Sequence, residues 1–147
     1  MKRLRRGKAA HLRLGAAGET AAVRMFENMD CDVLMRDYRM KNGEIDLIVR
    51  DGLSLVFAEV KTRRTKTRTQ ADESRPAASL KTPQKRRIYR AAFTYMREIG
   101  KPAVPYRFDL VEVVFLKARL YKMFHWKSHF GIRTLRRGTG NVPNLFK

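Results

Sequence analysis

Apolar and polar positions change their spacing several times along this chain, and each change marks an element. From residue 14 onward Leu14, Gly18, Ala22, Met25, Phe26 and Met29 recur at helical spacing and share one face. Over residues 32–38, 44–50 and 53–61 short apolar or alternating runs read as three strands, with a turn over 40–43. Thr82-Pro83 starts a second helix, Thr82 as N-cap and Pro83 at the first helical position. That helix carries Ile88, Ala91, Ala92, Tyr95, Met96 and Ile99 on one face and stops at Gly100. Residues 106–116 form a fourth strand candidate, and 120–124 a further one. The pattern predicts an α/β domain, a central mixed β-sheet flanked by helices in the order α-β-β-β-α-β.

Two of the strands carry charges where apolar residues are expected. Asp46 stands inside Gly43-Glu44-Ile45-Asp46-Leu47-Ile48, and Ala58-Glu59-Val60-Lys61 ends the next strand. Isolated charges in apolar runs are costly to bury unless they bind something. Asp51-Gly52 between the two runs is a hairpin signal. If these two residues are the loop, Arg50 faces Leu53 and Asp46 faces Phe57, on the same sheet face as Glu59 and Lys61. Ile45, Leu47, Val49, Val56, Ala58 and Val60 then share the opposite face. Asp46 and Glu59 become diagonal neighbours roughly 7–8 Å apart, while a three-residue loop would put Asp46 on the wrong face.

Two carboxylates and an ammonium gathered in this way suit a divalent metal beside a phosphodiester. Mg²⁺ or Mn²⁺ takes oxygen donors, and a bound hard cation polarises phosphate and acidifies water. Lys61 would orient that water or neutralise developing charge. The plainer reading of Glu59 and Lys61 is a solvated pair at a strand end. Glu19 lies at the border of the first helix's apolar stripe, from which a carboxylate can point along the sheet edge toward Asp46. It reads equally as an ordinary boundary glutamate.

Composition narrows the partner. The chain has 147 residues, is 44% hydrophobic, and carries a net charge of +19. That length suits one domain with a real core. The charge is unevenly spread: residues 1–14 hold six Lys/Arg and no acid, 61–90 hold eleven against two acids, and 117–147 hold eight and no acid. Residues 15–60 are net −4. A mildly acidic segment framed by basic ones favours a polyanionic partner, nucleic acid first, with anionic lipid or ribosomal RNA as the other candidates. With no long apolar run and no signal-type segment, the expectation is a cytoplasmic protein, with nucleoid association open to it, and not a membrane one. The single Cys31 fits a reducing compartment and excludes a cysteine zinc site.

The organisation expected is a basic N-terminal arm over 1–13, a domain over 14–125 and a basic, irregular tail over 126–147. Residues 62–80 read as a polar, basic mobile loop beside the site, able to order on a substrate. Arg63, Arg64, Lys66, Arg68, Lys81, Lys85 and Arg86 form the expected nucleic-acid-binding set. Lys85 extends the apolar stripe of the second helix and is placed to snorkel toward a phosphate.

Other patterns in the chain carry less chemistry. His125 and His129 have the spacing of helical metal ligands but lack a third donor. Trp126 fits a sheet cap better than a base-stacking platform. Gly15 to Gly18 lacks the start of a dinucleotide fingerprint, and there is no P-loop. Asp109, alternating with Arg107 and Val111, reads as a buried partner for an arginine rather than a catalytic group.

The motifs, taken in order, resemble a family. Leu14-Gly-x-x-Gly-Glu19-x-x-Ala22, Asp37-Tyr-Arg39, Gly43-Glu-Ile-Asp-Leu-Ile48, Leu55-Val-Phe-Ala-Glu-Val-Lys-Thr-Arg63 and Arg107-Phe-Asp-Leu-Val111 are similar to the YraN-type uncharacterised bacterial proteins over roughly residues 12–116. That resemblance implies a restriction-endonuclease-like three-layer fold, similar to archaeal Holliday junction resolvases, and a PD-(D/E)xK-type site. Asp46 and Glu59 would be metal ligands, Lys61 the catalytic lysine and Glu19 an accessory ligand acting through a water. Ile45 stands in place of the motif's proline, which coordinates nothing. The family's second helix usually begins Lys-Gln, whereas this chain has Gln84-Lys85, which turns Lys85 about 100° around the helix. Lys81 is the other candidate for a phosphate there. The expected function is a metal-dependent nuclease acting on DNA, branched or damaged DNA included, with a homodimer favoured if junctions are cut symmetrically. The alternative is a nucleic-acid-binding protein that keeps the fold without catalysis.

Overall fold

A computed structural model describes residues 2–73 and 80–131. Its elements are α1 (Lys2–Asn28), β1 (Asp32–Met40), β2 (Gly43–Asp51), β3 (Ser54–Thr65), α2 (Arg68–Asp72), α3 (Thr82–Glu98), β4 (Tyr106–Leu116) and β5 (Arg119–Phe130). The five strands form one sheet in the order β1-β2-β3-β4-β5. Every neighbouring pair is antiparallel except β3 and β4, which run parallel and are joined through α2 and α3. A parallel pair needs such a crossover, and here the long helix supplies it.

Each face of the sheet is covered by one long helix. Ala22 and Phe26 of α1 pack on Leu47, Val49, Val56, Ala58, Val111 and Val113. On the other face Ile88, Tyr89, Ala91, Ala92, Tyr95 and Met96 of α3 pack on Ile45, Ile48, Leu55, Phe57 and Phe108. The mixed α/β sheet between helices is therefore as the sequence predicts. Two glycines let the helices approach closely. A Cβ on Gly18 would stand 1.7 Å from Thr62 Oγ1 on β3, and one on Gly43 would stand 2.5 Å from the Arg87 carbonyl oxygen of α3.

Several boundaries differ from expectation. α1 begins at Lys2, so the described part of the expected arm over 1–13 belongs to the helix. Within the expected loop over 62–80, β3 runs on to Thr65 and α2 follows; residues 74–79 lie outside the described residues. α2 forms because the Thr67 hydroxyl accepts the Gln70 amide at 3.3 Å, an N-cap inside a polar stretch that carries no apolar period. The N-cap of α3 is Lys81 rather than Thr82, one residue early, since Pro83 fits the second helical position as well as the first. β5 takes in the further strand candidate over 120–124 and reaches Phe130, so residues 126–130 belong to the sheet rather than to an irregular tail; 132–147 lie outside the described residues. Phe130 makes this worthwhile, stacking on Phe108 at 5.0 Å between centroids.

The β2–β3 hairpin is the element that decides the site. Its loop is Gly52-Leu53, with Asp51 opposite Ser54, one residue beyond the expected Asp51-Gly52. Gly52 takes φ +59°, as the first central position of a II′ turn requires. Because the loop moves without changing length, the faces are preserved for all residues but one. Ile45 packs on the α3 side with Ile48, not with Leu47 and Val49. On the neighbouring strand Tyr38, the partner of Ile45, packs on the same side, and Asp37 beside it holds φ +51°.

Candidate active site

Backbone pairing between β2 and β3 ends at Leu47↔Ala58. One residue further, the Asp46 carboxylate takes over and accepts the Val60 amide at 2.7 Å. A side chain thus satisfies a donor that the departing strand no longer pairs. Continued one residue past its last pair, the register sets Asp46 across from Glu59 rather than diagonal to it. The Asp46 and Glu59 carboxyls lie within hydrogen-bonding reach of each other, and Lys61 Nζ lies 3.1 Å from Glu59 Oε1. Asp46, Glu59 and Lys61 are therefore together, with Glu59 12% exposed and Lys61 30%.

Their electrostatics follow from burial. Desolvation pushes the Glu59 carboxyl up to about 8, helped by the neighbouring Asp46 charge and opposed by Lys61. Desolvation also raises Asp46, against the hydrogen bond from Val60. Two carboxylates this close cannot both ionise freely, so the pair keeps a proton near neutrality. Glu19, on the α1 side, is raised first by burial and then by Asp46 and Asp37, with Arg36 and Arg39 pulling the other way. It senses the pair electrostatically and does not join it in a tight cluster. Among the described residues, no three His, Cys, Asp or Glu side chains are grouped as a metal site. The donors at hand are two carboxylates, hard oxygen ligands whose mutual repulsion a divalent cation relieves as well as a proton does. Such an ion would draw its remaining ligands from water or substrate.

A residue that sequence reasoning missed lies next to Glu59. Gln84, Arg87 and Ile88 of α3 enclose with Glu44 and Glu59 a cavity of about 50 Å³. That volume and its polar lining suit a water. Gln84 Oε1 also accepts the Lys81 amide at 3.3 Å, fixing the first turn of α3. The inverted Gln84-Lys85 pair therefore puts the glutamine, not the lysine, beside Glu59. Lys85 instead sits 5.8 Å over the Phe130 ring. The available signal was the glutamine in the first turn of a Pro-started helix.

The expected basic set divides. Arg63 donates from Nε to Glu112 at 2.6 Å, and from Nη1 and Nη2 to the carbonyls of Gln70 and Ala71 at 3.2 and 3.1 Å. Its guanidinium is committed to holding α2 on the sheet. Arg64, Lys66, Arg68 and Lys81 are exposed, and Lys85 and Arg86 half-buried. Asp109 is fully buried, as an arginine's partner should be. It accepts Arg107 Nε at 3.0 Å and the Ser128 amide at 2.9 Å, with His125 Nε2 at 2.7 Å. Burial alone would raise its pKa, but the hydrogen bonds from His125 and Ser128 and the Arg107 charge hold it below the ordinary value.

A mixed α/β sheet with an acid pair and a lysine where two strands part is the class of protein these observations define. Residues 18–113 match the uncharacterised protein family UPF0102, and the chain belongs to that family. This is the YraN-type family that the motifs resemble. The chain is similar to a UPF0102 protein of Symbiobacterium thermophilum, 42% identical over 69% of this chain and 81% of the relative. It is also similar to those of Pelotomaculum thermopropionicum, 36% identical over 80% and 94%, and Geobacter sulfurreducens, 32% identical over 80% and 88%. The matched segment holds Glu19, Asp46, Glu59, Lys61 and Gln84, and leaves out β5.

Proposed function

We propose that this protein is a metal-dependent nuclease that hydrolyses DNA phosphodiesters, on a restriction-endonuclease-like fold with a PD-(D/E)xK-type site. The observation that carries the reading is the Lys61 ammonium 3.1 Å from Glu59, beside an Asp46 tied to Val60. A pure binder gains nothing from carboxylates beside phosphates, while a hydrolase needs them. Asp46 and Glu59 would hold Mg²⁺ or Mn²⁺, with Glu19 adding negative potential through a water. The ion when bound polarises the phosphate and makes water acidic enough to attack. Lys61, partly exposed and fixed by Glu59, donates to a phosphate oxygen or to the attacking water and offsets the developing charge. Gln84 positions a water against Glu59. Arg64, Lys66, Arg68, Lys81, Lys85 and Arg86 supply the positive surface along which a DNA backbone would lie. Among the described residues no helix is long and apolar enough to cross a membrane.

The test is cleavage of linear, single-stranded and four-way-junction DNA with Mg²⁺, Mn²⁺ or EDTA, against Asp46→Ala prepared in parallel. Metal-dependent cutting that the variant loses is the expected result, and symmetric cuts at a junction would point to a dimer. Binding without cutting, unchanged in the variant, would leave a nucleic-acid-binding module instead.

A further inference from the structure

β3 outlasts its partner on one side. Beyond Ala58 it pairs only with β4, up to Thr65↔Leu116. At the end of that free run, past Lys61, a cavity of about 600 Å³ opens between the start of α2 and the β4–β5 turn. Its volume is that of a small-molecule site. Lys66, Arg68, Lys117 and Arg119 line it together with Leu120 and Tyr121, and among the described residues no acidic one does. Among the described residues none of these four cations has an ion-pair partner. Leu120 and Tyr121 are 50% and 37% exposed.

The walls are fixed in place. Arg63 clamps α2 to the sheet through Glu112 and two α2 carbonyls. The Lys117 amide donates to the Thr65 carbonyl at 2.9 Å, tying the turn to the end of β3. Lys117 holds φ +56°, a left-handed position where glycine or asparagine is the unstrained choice. Tyr121 Oη reaches Asp72 of α2 at 3.5 Å, and Lys122 reaches it at 3.3 Å.

We infer that this cavity seats an unpaired nucleotide of the DNA strand whose scissile phosphate lies at Glu59 and Lys61. The inference rests on the nuclease reading and adds the substrate class, DNA with a single-stranded extension. Unpaired cations complement phosphate, and an exposed tyrosine beside a leucine offers a platform to a base that a duplex keeps stacked. From Lys61 to Lys66 is about 17 Å at ~3.3 Å per strand residue, close to five phosphate steps of a duplex strand at about 3.4 Å each.

The experiment measures binding in EDTA, so that it does not depend on cleavage. Labelled duplex with a single-stranded extension is compared with blunt duplex of equal charge, for the wild type, Tyr121→Ala, Tyr121→Phe and Asp46→Ala. Wild type should prefer the extended substrate by about tenfold, the scale of one base stacked on an aromatic ring. Tyr121→Ala should lose that preference, while Tyr121→Phe and Asp46→Ala keep it. Equal affinity for both duplexes in the wild type, or a preference unchanged in Tyr121→Ala, overturns the inference. So does displacement of the extended substrate by micromolar free mononucleotide, which would make the cavity a nucleotide site unrelated to a strand. A preference that persists in a protein unable to cleave any DNA with metal would sink the nuclease reading and leave a binding site for single-stranded extensions.

Discussion

The Asp46 carboxylate accepts the backbone amide of Val60 at 2.7 Å, across the point where β2 and β3 cease to pair. One oxygen of the group is thus structural. Asp46→Asn keeps an acceptor for that amide and removes the charge beside Glu59. We expect unchanged or higher thermal stability, with cleavage down by at least about a hundredfold, the scale of losing one electrostatic contact to a transition state. Asp46→Ala should lose cleavage equally and also about 1 kcal/mol of stability for the orphaned amide. Calorimetry beside a cleavage assay separates the two.

Metal-free stability should depend on Glu59. Its carboxyl titrates at about 8 in the folded protein against an ordinary 4.5. Between those values the folded state holds a proton that the unfolded chain has released, so stability falls as pH rises through this window. In EDTA the Tm is expected to drop by roughly 5 °C between pH 5 and pH 8. Glu59→Gln should flatten that slope, and Mg²⁺ should raise the wild-type Tm more at pH 8 than at pH 6. A Tm that climbs across the window would contradict the buried acid pair.

Neighbouring arginines should behave differently. Arg63→Ala leaves Glu112, with a side chain 5% exposed, without its guanidinium, and is expected to destabilise by about 2–3 kcal/mol. Arg64→Ala should leave stability unchanged and reduce the salt slope of DNA binding by about one phosphate contact. Urea unfolding and binding across a salt series distinguish them.

On α3, Gln84→Ala should slow cleavage without altering DNA affinity, since the residue borders Glu59 in an enclosed cavity. Lys85→Ala, whose ammonium lies over Phe130, should leave the cleavage step unchanged. Single-turnover kinetics at saturating protein reads the step directly.

The Gly18 contact offers a test of α1 packing. A methyl there collides with the Thr62 side chain, and overpacking of this kind costs roughly 1–3 kcal/mol. Combining Gly18→Ala with Thr62→Ala should recover part of that loss, a coupling that independent sites would not show. Thermal unfolding of the two single variants and the pair gives the coupling.

Much of this arrangement was legible in the chain. Side chains on a strand alternate with a period of two, so a hairpin of even loop length put Asp46 with Glu59 and Lys61 even though the loop itself sits one residue further on. Ile45 escaped that logic because it lies past Leu47↔Ala58, the last pair that ties β2 to β3, and the alternation was counted through that hairpin. β5 was legible only over 120–124, because beyond Phe124 its charges and aromatics blur the alternation, and the strand in fact runs on to Phe130. Arg63 was read as a phosphate ligand since its acid, Glu112, lies 49 residues away. α2 is stabilised by that same pair and by one threonine cap, neither of which leaves a periodic trace.

β3 lies between β2 and β4 in the sheet and carries Glu59, Lys61 and Thr65 along one continuous run. From Glu59 to Thr65 every residue is paired with β4, and a strand laddered in this way does not stretch, so the separation between the acid pair and the basic cavity is a fixed length. It acts as a ruler. If both ends are engaged by one DNA strand, the cut falls at a constant offset from the junction between paired and unpaired DNA, and a set of substrates with extensions of different length yields breaks at one position counted from that junction.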